Sequence, residues 1–293
     1  MATLLLDNTL YASLAFSFRK LRTAYSGNCV KIRRSSDSTE QDIGFSNDIV
    51  DTSAIASFIG GGQGFASKWY DQTSNSYDVA QTVSASQPEF IASGLGLSKP
   101  TGRYDGTDDF IYISDLNRRQ SDFCRRNEMT LVAVVNQTAA DDGTIFGCDY
   151  TELNTNNHVW YLQPNITTNG EMACMFGHQN QFAFLNGLGT KAALPGGWAG
   201  NPHVVLFYVE PGGNAGVEID GVEIKTAAGW RAQMNSVATA SQPTNYPPMI
   251  GKAFSYGVLF TGDIAELMVF RSGMTATRRA FITANVKAFY GIS

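Results

Sequence analysis

Charge is what this sequence has least of. Only 16% of its 293 residues are Asp, Glu, Lys or Arg, against about 25% in an average soluble domain. Ser, Thr, Asn, Gln and backbone must therefore form much of the surface. Positive charge is not in excess either. Against 26 acidic residues stand 21 basic ones, for a formal charge of −5 and a pI near 5.2. A protein that grips duplex nucleic acid needs a dense basic face to displace phosphate counterions, so nucleic acid is not an expected partner. The basic runs Lys31-Ile32-Arg33-Arg34, Arg118-Arg119 and Arg125-Arg126 read as strand ends or loops. No stretch approaches the roughly 20 apolar residues of a membrane-spanning helix, so membrane insertion is not expected. Leu4-Leu5-Leu6 stops at Asp7 with no basic residue before it, unlike a secretory signal. Cysteine and histidine are scarce. Cys29, Cys124, Cys148 and Cys174 contain no Cys-x-x-Cys pair, which excludes the usual structural zinc spacing. They read most simply as thiols of a chain made in a reducing cytoplasm, and a disulfide pairing cannot be read from their spacing. His158, His178 and His203 form no metal motif and read as surface or satisfied core residues.

Hydrophobic residues, at 43%, suffice for a large core, and 29 glycines supply turns. This excludes intrinsic disorder. Leu10, Tyr11, Leu14, Phe18 and Leu21 recur at three- and four-residue steps and predict an N-terminal helix. Cys29 to Arg34 alternates and predicts a strand. Asp51 can cap a short second helix through Ala54, Ile55 and Phe58 that stops at the glycines. Short apolar runs then alternate with turn signals, among them Phe110–Ile113, Met129–Val135, Val159–Leu162, Met172–Phe176, Val204–Val209 and Ile264–Phe270. The near-continuous Met129–Val135 predicts a central strand. Asp220-Gly221 between alternating segments predicts a two-residue hairpin with positive φ. Thr275 can cap a C-terminal helix that Gly291 ends. Many short strands with Gly-rich turns predict an all-β fold, a two-sheet antiparallel jelly-roll sandwich with flanking helices. The whole chain, 1–293, is expected to be one domain, with residues 1–65 a helical segment packed on the sandwich.

Two stretches resemble known families. Ala24-Tyr25-Ser26-Gly27, Arg34-Ser35-Ser36-Asp37 and Tyr70-Asp71-Gln72-Thr73-Ser74-Asn75, in this order, resemble the N-terminal part of α-L-arabinofuranosidase B catalytic domains. Gly262–Phe270 with the helix ending Phe289-Tyr290-Gly291-Ile292 is similar to the closing strand and helix of laminin-G-like, concanavalin-type sandwiches. Arg103-Tyr104-Asp105-Gly106-Thr107-Asp108-Asp109-Phe110 is similar to the way those sandwiches open a strand. Both resemblances imply two antiparallel sheets packed face to face. They also imply where hydrolytic carboxylates would stand. A retaining glycosidase holds two about 5–5.5 Å apart. The arabinofuranosidase nucleophile strand corresponds to Ala173-Cys174-Met175-Phe176 and its acid/base loop to Ile250–Tyr256, near Ser255, and neither place carries an acid. Asp71, Asp149, Glu152 and Glu171 remain as carboxylates that could pair in space.

Other chemistry is weaker. Gly60–Gly64 lacks the Lys-Ser/Thr of a phosphate loop and reads as a turn. No cofactor is expected, although Asp105-Gly106-Thr107-Asp108-Asp109 and Asp141-Asp142-Gly143 could offer oxygens to calcium. Sugars dock on exposed aromatic faces, and Trp160, Trp198, Trp230 and Tyr246 sit in Gly- or Asn-rich surroundings as candidate glycan contacts. A sandwich that usually works outside cells, without an export signal, fits a bacteriophage virion protein made in the host cytoplasm. The expected function is therefore a non-enzymatic virion component, a capsid decoration, head-fibre or tail-associated protein. It would contact other virion subunits, form a homo-oligomer and touch host glycans. The alternatives are a divergent glycoside hydrolase of arabinofuranosidase type and a free soluble lectin.

Overall fold

A computed structural model describes residues 4–7, 11–113, 128–138, 143–150, 158–165, 171–178, 181–184, 200–210, 214–227, 247–252 and 259–293. In chain order its strands are β1 (Ala12–Ser17), β2 (Val30–Arg34), β3 (Glu40–Ile43), β4 (Phe45–Ser46), β5 (Ile49–Val50), β6 (Gly64–Trp69), β7 (Val79–Ala80), β8 (Glu89–Gly94), β9 (Lys99–Asp105) and β10 (Ile111–Ile113). They continue with β11 (Met129–Gln137), β12 (Phe146–Tyr150), β13 (His158–Asn165), β14 (Glu171–His178), β15 (Gln181–Phe184), β16 (His203–Val209), β17 (Ala215–Ile219), β18 (Val222–Ala227), β19 (Met249–Ile250) and β20 (Thr261–Phe270). Two α-helices flank them, α1 (Thr52–Ile59) and α2 (Ala276–Tyr290).

Every strand pairing is antiparallel, and the architecture is an all-β sandwich. A back layer runs β18–β17–β16–β11–β20. The far edge of β20 is shared by β9, opposite Thr261–Ile264, and β1, opposite Glu266–Phe270, and β8 extends beyond β9. A front layer runs β3–β2–β6–β7–β10–β19–β12–β13–β14–β15. Among the described residues one paired position, Phe65 with Glu89, joins the layers. Between them lies a core of Phe16, Phe18, Leu131, Phe207 and Leu267 from one side and Trp69, Ile111, Phe146, Leu162 and Ile250 from the other. A second core, with Val132, Leu206, Met268, Ile282, Val286 and Tyr290, fills the space between the back layer and α2.

The continuous apolar character of Met129–Val135 follows from this arrangement. β11 lies between β16 and β20 with both faces covered, so no position faces water and no alternation is needed. The hairpin forms as the sequence predicts, with φ of 54° at Asp220 and 86° at Gly221. Asp51 Oδ1 accepts from Ala54 N at the start of α1, and Thr275 Oγ1 accepts from Arg278 N at the start of α2. Gly291 closes α2 in the left-handed region.

The N-terminal helix is not there. Residues 12–17 form β1, paired along β20, and residues 1–65 contribute strands to both layers rather than a helical appendage. Leu14 and Phe18 fit a helical stripe, but they also fit alternation. Phe16 decides between the two, because Leu14, Phe16 and Phe18 all enter the inter-layer core while Ala15 faces α2. Burial on both faces hid the period of two. α2 is fastened here by a buried polar knot: Arg19 Nε and Nη2 bond Glu266 at 2.7 and 2.9 Å, Ser17 Oγ donates to Glu266 at 2.7 Å, and Tyr290 Oη donates at 3.2 Å.

Candidate functional site on the front face

The residues that carry the family resemblance build the fold. Arg34 donates two hydrogen bonds to Asp37 at 2.7 and 2.6 Å, and this fork together with Thr39 N holds the Asp37 carboxyl well below its ordinary range. Trp69 stacks on Phe18 inside the core, with centroids 4.7 Å apart. Asp71 is 2% exposed and accepts from Ala15 N, Thr73 N, Thr73 Oγ1 and Tyr77 N at 2.6–3.0 Å. Gln72 donates to the carbonyls of Ser17 and Arg19 and accepts from Leu21 N, at 2.8–2.9 Å. Asn75 donates to Ser13 O at 2.9 Å. The segment 71–75 thus closes the free edge of β1, an edge that would otherwise expose unpaired backbone groups. Burial lifts the pKa of Asp71 despite these donors. All of its oxygens serve the clamp, so Asp71 is not available to act on a substrate.

The turn from β9 to β10 gathers Asp105, Asp108 and Asp109, whose carboxylate oxygens lie within 4.8 Å of one another. Here too the carboxylates serve the backbone. Asp105 Oδ1 accepts from Thr107 N at 2.7 Å and Asp109 Oδ2 accepts from Asp105 N at 3.0 Å. Burial, reinforced by Asp105, Asp108 and Glu89 nearby, raises the Asp109 pKa to about 7. Calcium takes six to eight oxygens, and two of these three carboxylates already accept from backbone N–H groups of their own turn.

The front face is where the implied catalytic segments converge. β12, carrying Gly147-Cys148-Asp149-Tyr150, is flanked by β19 and β13, and β14 lies one strand further. Cys148 pairs with Trp160, and Trp160 with Phe176. Leu162 pairs with Cys174. Ile250 pairs with Phe146, which sets the start of the segment that the resemblance matches to an acid/base loop beside β12. The fold thus brings the 147–150, 173–176 and 250–252 segments onto one sheet from separations of up to about a hundred residues. The same register separates two of the remaining carboxylates. Asp149 is level with Gly177 of β14 across Val159, whereas Glu171 is level with Asn165. Those levels are six residue steps apart along β14, about 20 Å at the usual strand rise, so Asp149 and Glu171 do not form a retaining pair. Next to this region, Phe110 and Tyr112 stack with centroids 6.0 Å apart, and the Lys252 ammonium lies 4.5 Å from the Phe110 centroid. Both rings are half-buried, an arrangement suited to a planar or ring-shaped ligand.

Of the candidate glycan contacts, Trp160 lies on β13. Trp198, Trp230, Tyr246, Glu152, Ser255, Asp141, Asp142, Cys124 and the arginine pairs at 118–119 and 125–126 lie outside the described residues. The remaining basic run is internally satisfied. Arg33 Nε donates to Gln87 at 2.6 Å, Arg34 to Asp37, and Lys31 lies 3.7 Å from Asp42. His203 Nδ1 sits 2.7 Å from Asp220 Oδ2, a core histidine with a partner. Cys29 is a buried free thiol whose pKa burial pushes up. Gly60–Gly64 turns the chain from α1 into β6. The aromatic that sequence reasoning missed is Tyr11, 89% exposed. Its place in an apparent apolar stripe concealed it.

No family model matches the chain, and no curated protein does. Solved structures do. An arabinofuranosidase complexed with arabinofuranosyl-α-1,2-xylobiose aligns over 97% of this chain and 64% of its own, with 13% identity and a TM-score of 0.68. A GH54 α-L-arabinofuranosidase soaked with a cyclic sulfate inhibitor aligns over the same shares, with 13% identity and a TM-score of 0.65. The binding domain of Paraclostridial Mosquitocidal Protein 1 aligns over 88% of this chain and 52% of its own, with 8% identity and a TM-score of 0.51. The chain spans about two thirds of the length of the arabinofuranosidases, a little under that at 64%. At this identity the likeness establishes the fold, which is that of the arabinofuranosidases along nearly the whole chain.

This corrects the expected function. The virion role rested on a sandwich that usually works outside cells in a chain without an export signal, and the non-enzymatic reading on two positions without an acid. The solved structures that share this fold include arabinofuranosidases, and no comparison supports a virion or bacteriophage role. The reading of the chain as a non-enzyme falls with it.

Proposed function

We propose that the chain is a divergent glycoside hydrolase of arabinofuranosidase type, acting on glycans that carry arabinofuranosyl residues. The observation that supports this reading is the arabinofuranosidase architecture over 97% of the chain. The convergence of the 147–150, 173–176 and 250–252 segments on one sheet agrees with it. Hydrolysis needs one carboxylic acid to protonate the leaving oxygen and a second carboxylate as nucleophile or base. With Phe176 and Cys174 on the strand that corresponds to the nucleophile strand, the pair must differ from that of the relatives. Asp71 is excluded by its clamp, and Asp149 and Glu171 are excluded as partners of each other. Asp149, on β12 between β19 and β13, is the residue we assign as one member.

The test is incubation of the full chain with 4-nitrophenyl α-L-arabinofuranoside and with arabinoxylan. Release of nitrophenol and free arabinose, reduced at least about a hundredfold in Asp149→Asn with unfolding unchanged, is the expected result. Absence of any release at high enzyme concentration contradicts the proposal. Binding of arabinoxylan without release would mean that the scaffold serves recognition and not cleavage.

A further inference from the structure

We propose that a second glycan-binding site lies at the N-terminal end of β1, where Tyr11, Arg22 and Asp7 border a cavity of about 310 Å³ that takes one neutral sugar residue. This volume is at the small end of the range for ligand pockets, about 300–1,000 Å³. The cavity opens where the 71–75 clamp ends, so Thr73 and Ser74 form part of its wall. It belongs to the edge of the back layer and shares no residue with the front face described above.

Three features suit a sugar. Tyr11 leaves 89% of its surface in water, an unfavourable place for a large ring unless a partner covers it. The apolar face of a pyranose or furanose ring is such a cover. Arg22 is half-buried on the cavity wall, its guanidinium has no hydrogen-bond partner among the described residues, and its charge helps to keep the Asp7 carboxyl ionised. Among the described residues nothing takes up its five N–H donors, which stand in a fixed fork. Asp7 accepts from Thr23 Oγ1 at 2.5 Å, Thr23 N at 2.9 Å and Leu4 N at 3.2 Å. An ionised carboxylate has about four acceptor sites, so one remains for an incoming hydroxyl. The Thr23 bonds also keep its pKa low and the group ionised near neutrality.

Free donors on Arg22 beside a free acceptor on Asp7 match a vicinal diol. One hydroxyl donates to the carboxylate while the diol oxygens accept from the guanidinium. The two charges cancel, which favours a neutral sugar: a uronate would meet Asp7, and an amino sugar would meet Arg22. Because the carboxylate is already fixed by Thr23, the site loses little freedom on binding.

Saturation-transfer NMR on the full chain tests this, with methyl α-L-arabinofuranoside, methyl β-D-galactopyranoside and methyl α-D-glucopyranoside as neutral probes and D-glucuronate as the charged one. At least one neutral glycoside is expected to bind, with affinity reduced about tenfold or more in Tyr11→Ala and in Arg22→Ala. Tyr11→Phe should retain it, and Val83→Ala, an exposed apolar residue elsewhere, should leave it unchanged. Both weakening variants should keep the unfolding temperature and the rate of nitrophenyl arabinofuranoside cleavage, which separates this inference from the hydrolase reading. Binding by no neutral probe, binding of glucuronate alone, or equal binding by wild type, Tyr11→Ala and Arg22→Ala would each overturn it.

Discussion

Replacing Gln72 by alanine should unfold the protein far more easily while leaving its chemistry intact. The side-chain amide donates to Ser17 O at 2.9 Å and Arg19 O at 2.8 Å and accepts from Leu21 N at 2.8 Å, and it is fully buried. Gln72→Ala strands two carbonyls and one N–H. A buried polar group left unpaired costs about 1–3 kcal/mol. Partial rescue by water in the new cavity brings the total to about 3–5 kcal/mol. That is a large part of the roughly 5–15 kcal/mol that separates folded from unfolded domains. In urea, with a slope of about 3 kcal/mol/M for a chain of this size, the midpoint should fall by about 1–1.7 M with the slope unchanged. Gln72→Glu should be at least as damaging, because it sets a carboxylate against two carbonyl oxygens. A midpoint within about 0.3 M of wild type would refute the clamp. So would loss of arabinofuranoside cleavage at unchanged stability, because the motif would then be catalytic rather than architectural.

Asp109 makes stability depend on pH. Its folded pKa of about 7 stands above the ordinary 3.8, so the native state holds a proton that the unfolded chain releases. The protein therefore loses stability as pH rises from about 4 to about 7, by up to about 4 kcal/mol at 1.36 kcal/mol per unit. Asp109→Asn, which keeps an acceptor for Asp105 N, should remove that slope in unfolding curves measured from pH 4 to 8; a variant with the wild-type slope would refute the assignment. Glu266→Ala leaves Arg19 buried without its counter-charge and should cost about 3–5 kcal/mol, read as a lower urea midpoint. A loss below about 1 kcal/mol would mean that the knot beneath α2 is not structural.

Much of the architecture is legible in the residues. Met129–Val135 announces a strand covered on both faces, Asp220-Gly221 a hairpin, and Asp51 and Thr275 their helix starts, because each signal acts over a few residues. The error at residues 10–21 has a local cause. Leu14 and Phe18 satisfy both periods, and a strand covered by a sheet on one face and α2 on the other shows no polar alternation to break the tie. The front face is less legible, since 147–150, 173–176 and 250–252 meet only through the order β14–β13–β12–β19, which no local pattern encodes. The arabinofuranosidase-like motif was visible, but its meaning was not. Asp71 and Gln72 look like polar site residues in sequence, and only their hydrogen bonds assign them to the edge of β1. Tyr11 was hidden by the same misread stripe.

The hydrolase account is tested most directly by covalent labelling. The full chain is incubated with an arabinofuranose-configured cyclic sulfate, and its intact mass and labelled peptide are then read by mass spectrometry. The account predicts one adduct per chain on a carboxylate of the front face, with protection by arabinoxylan. An unlabelled chain that also leaves 4-nitrophenyl α-L-arabinofuranoside intact would contradict it.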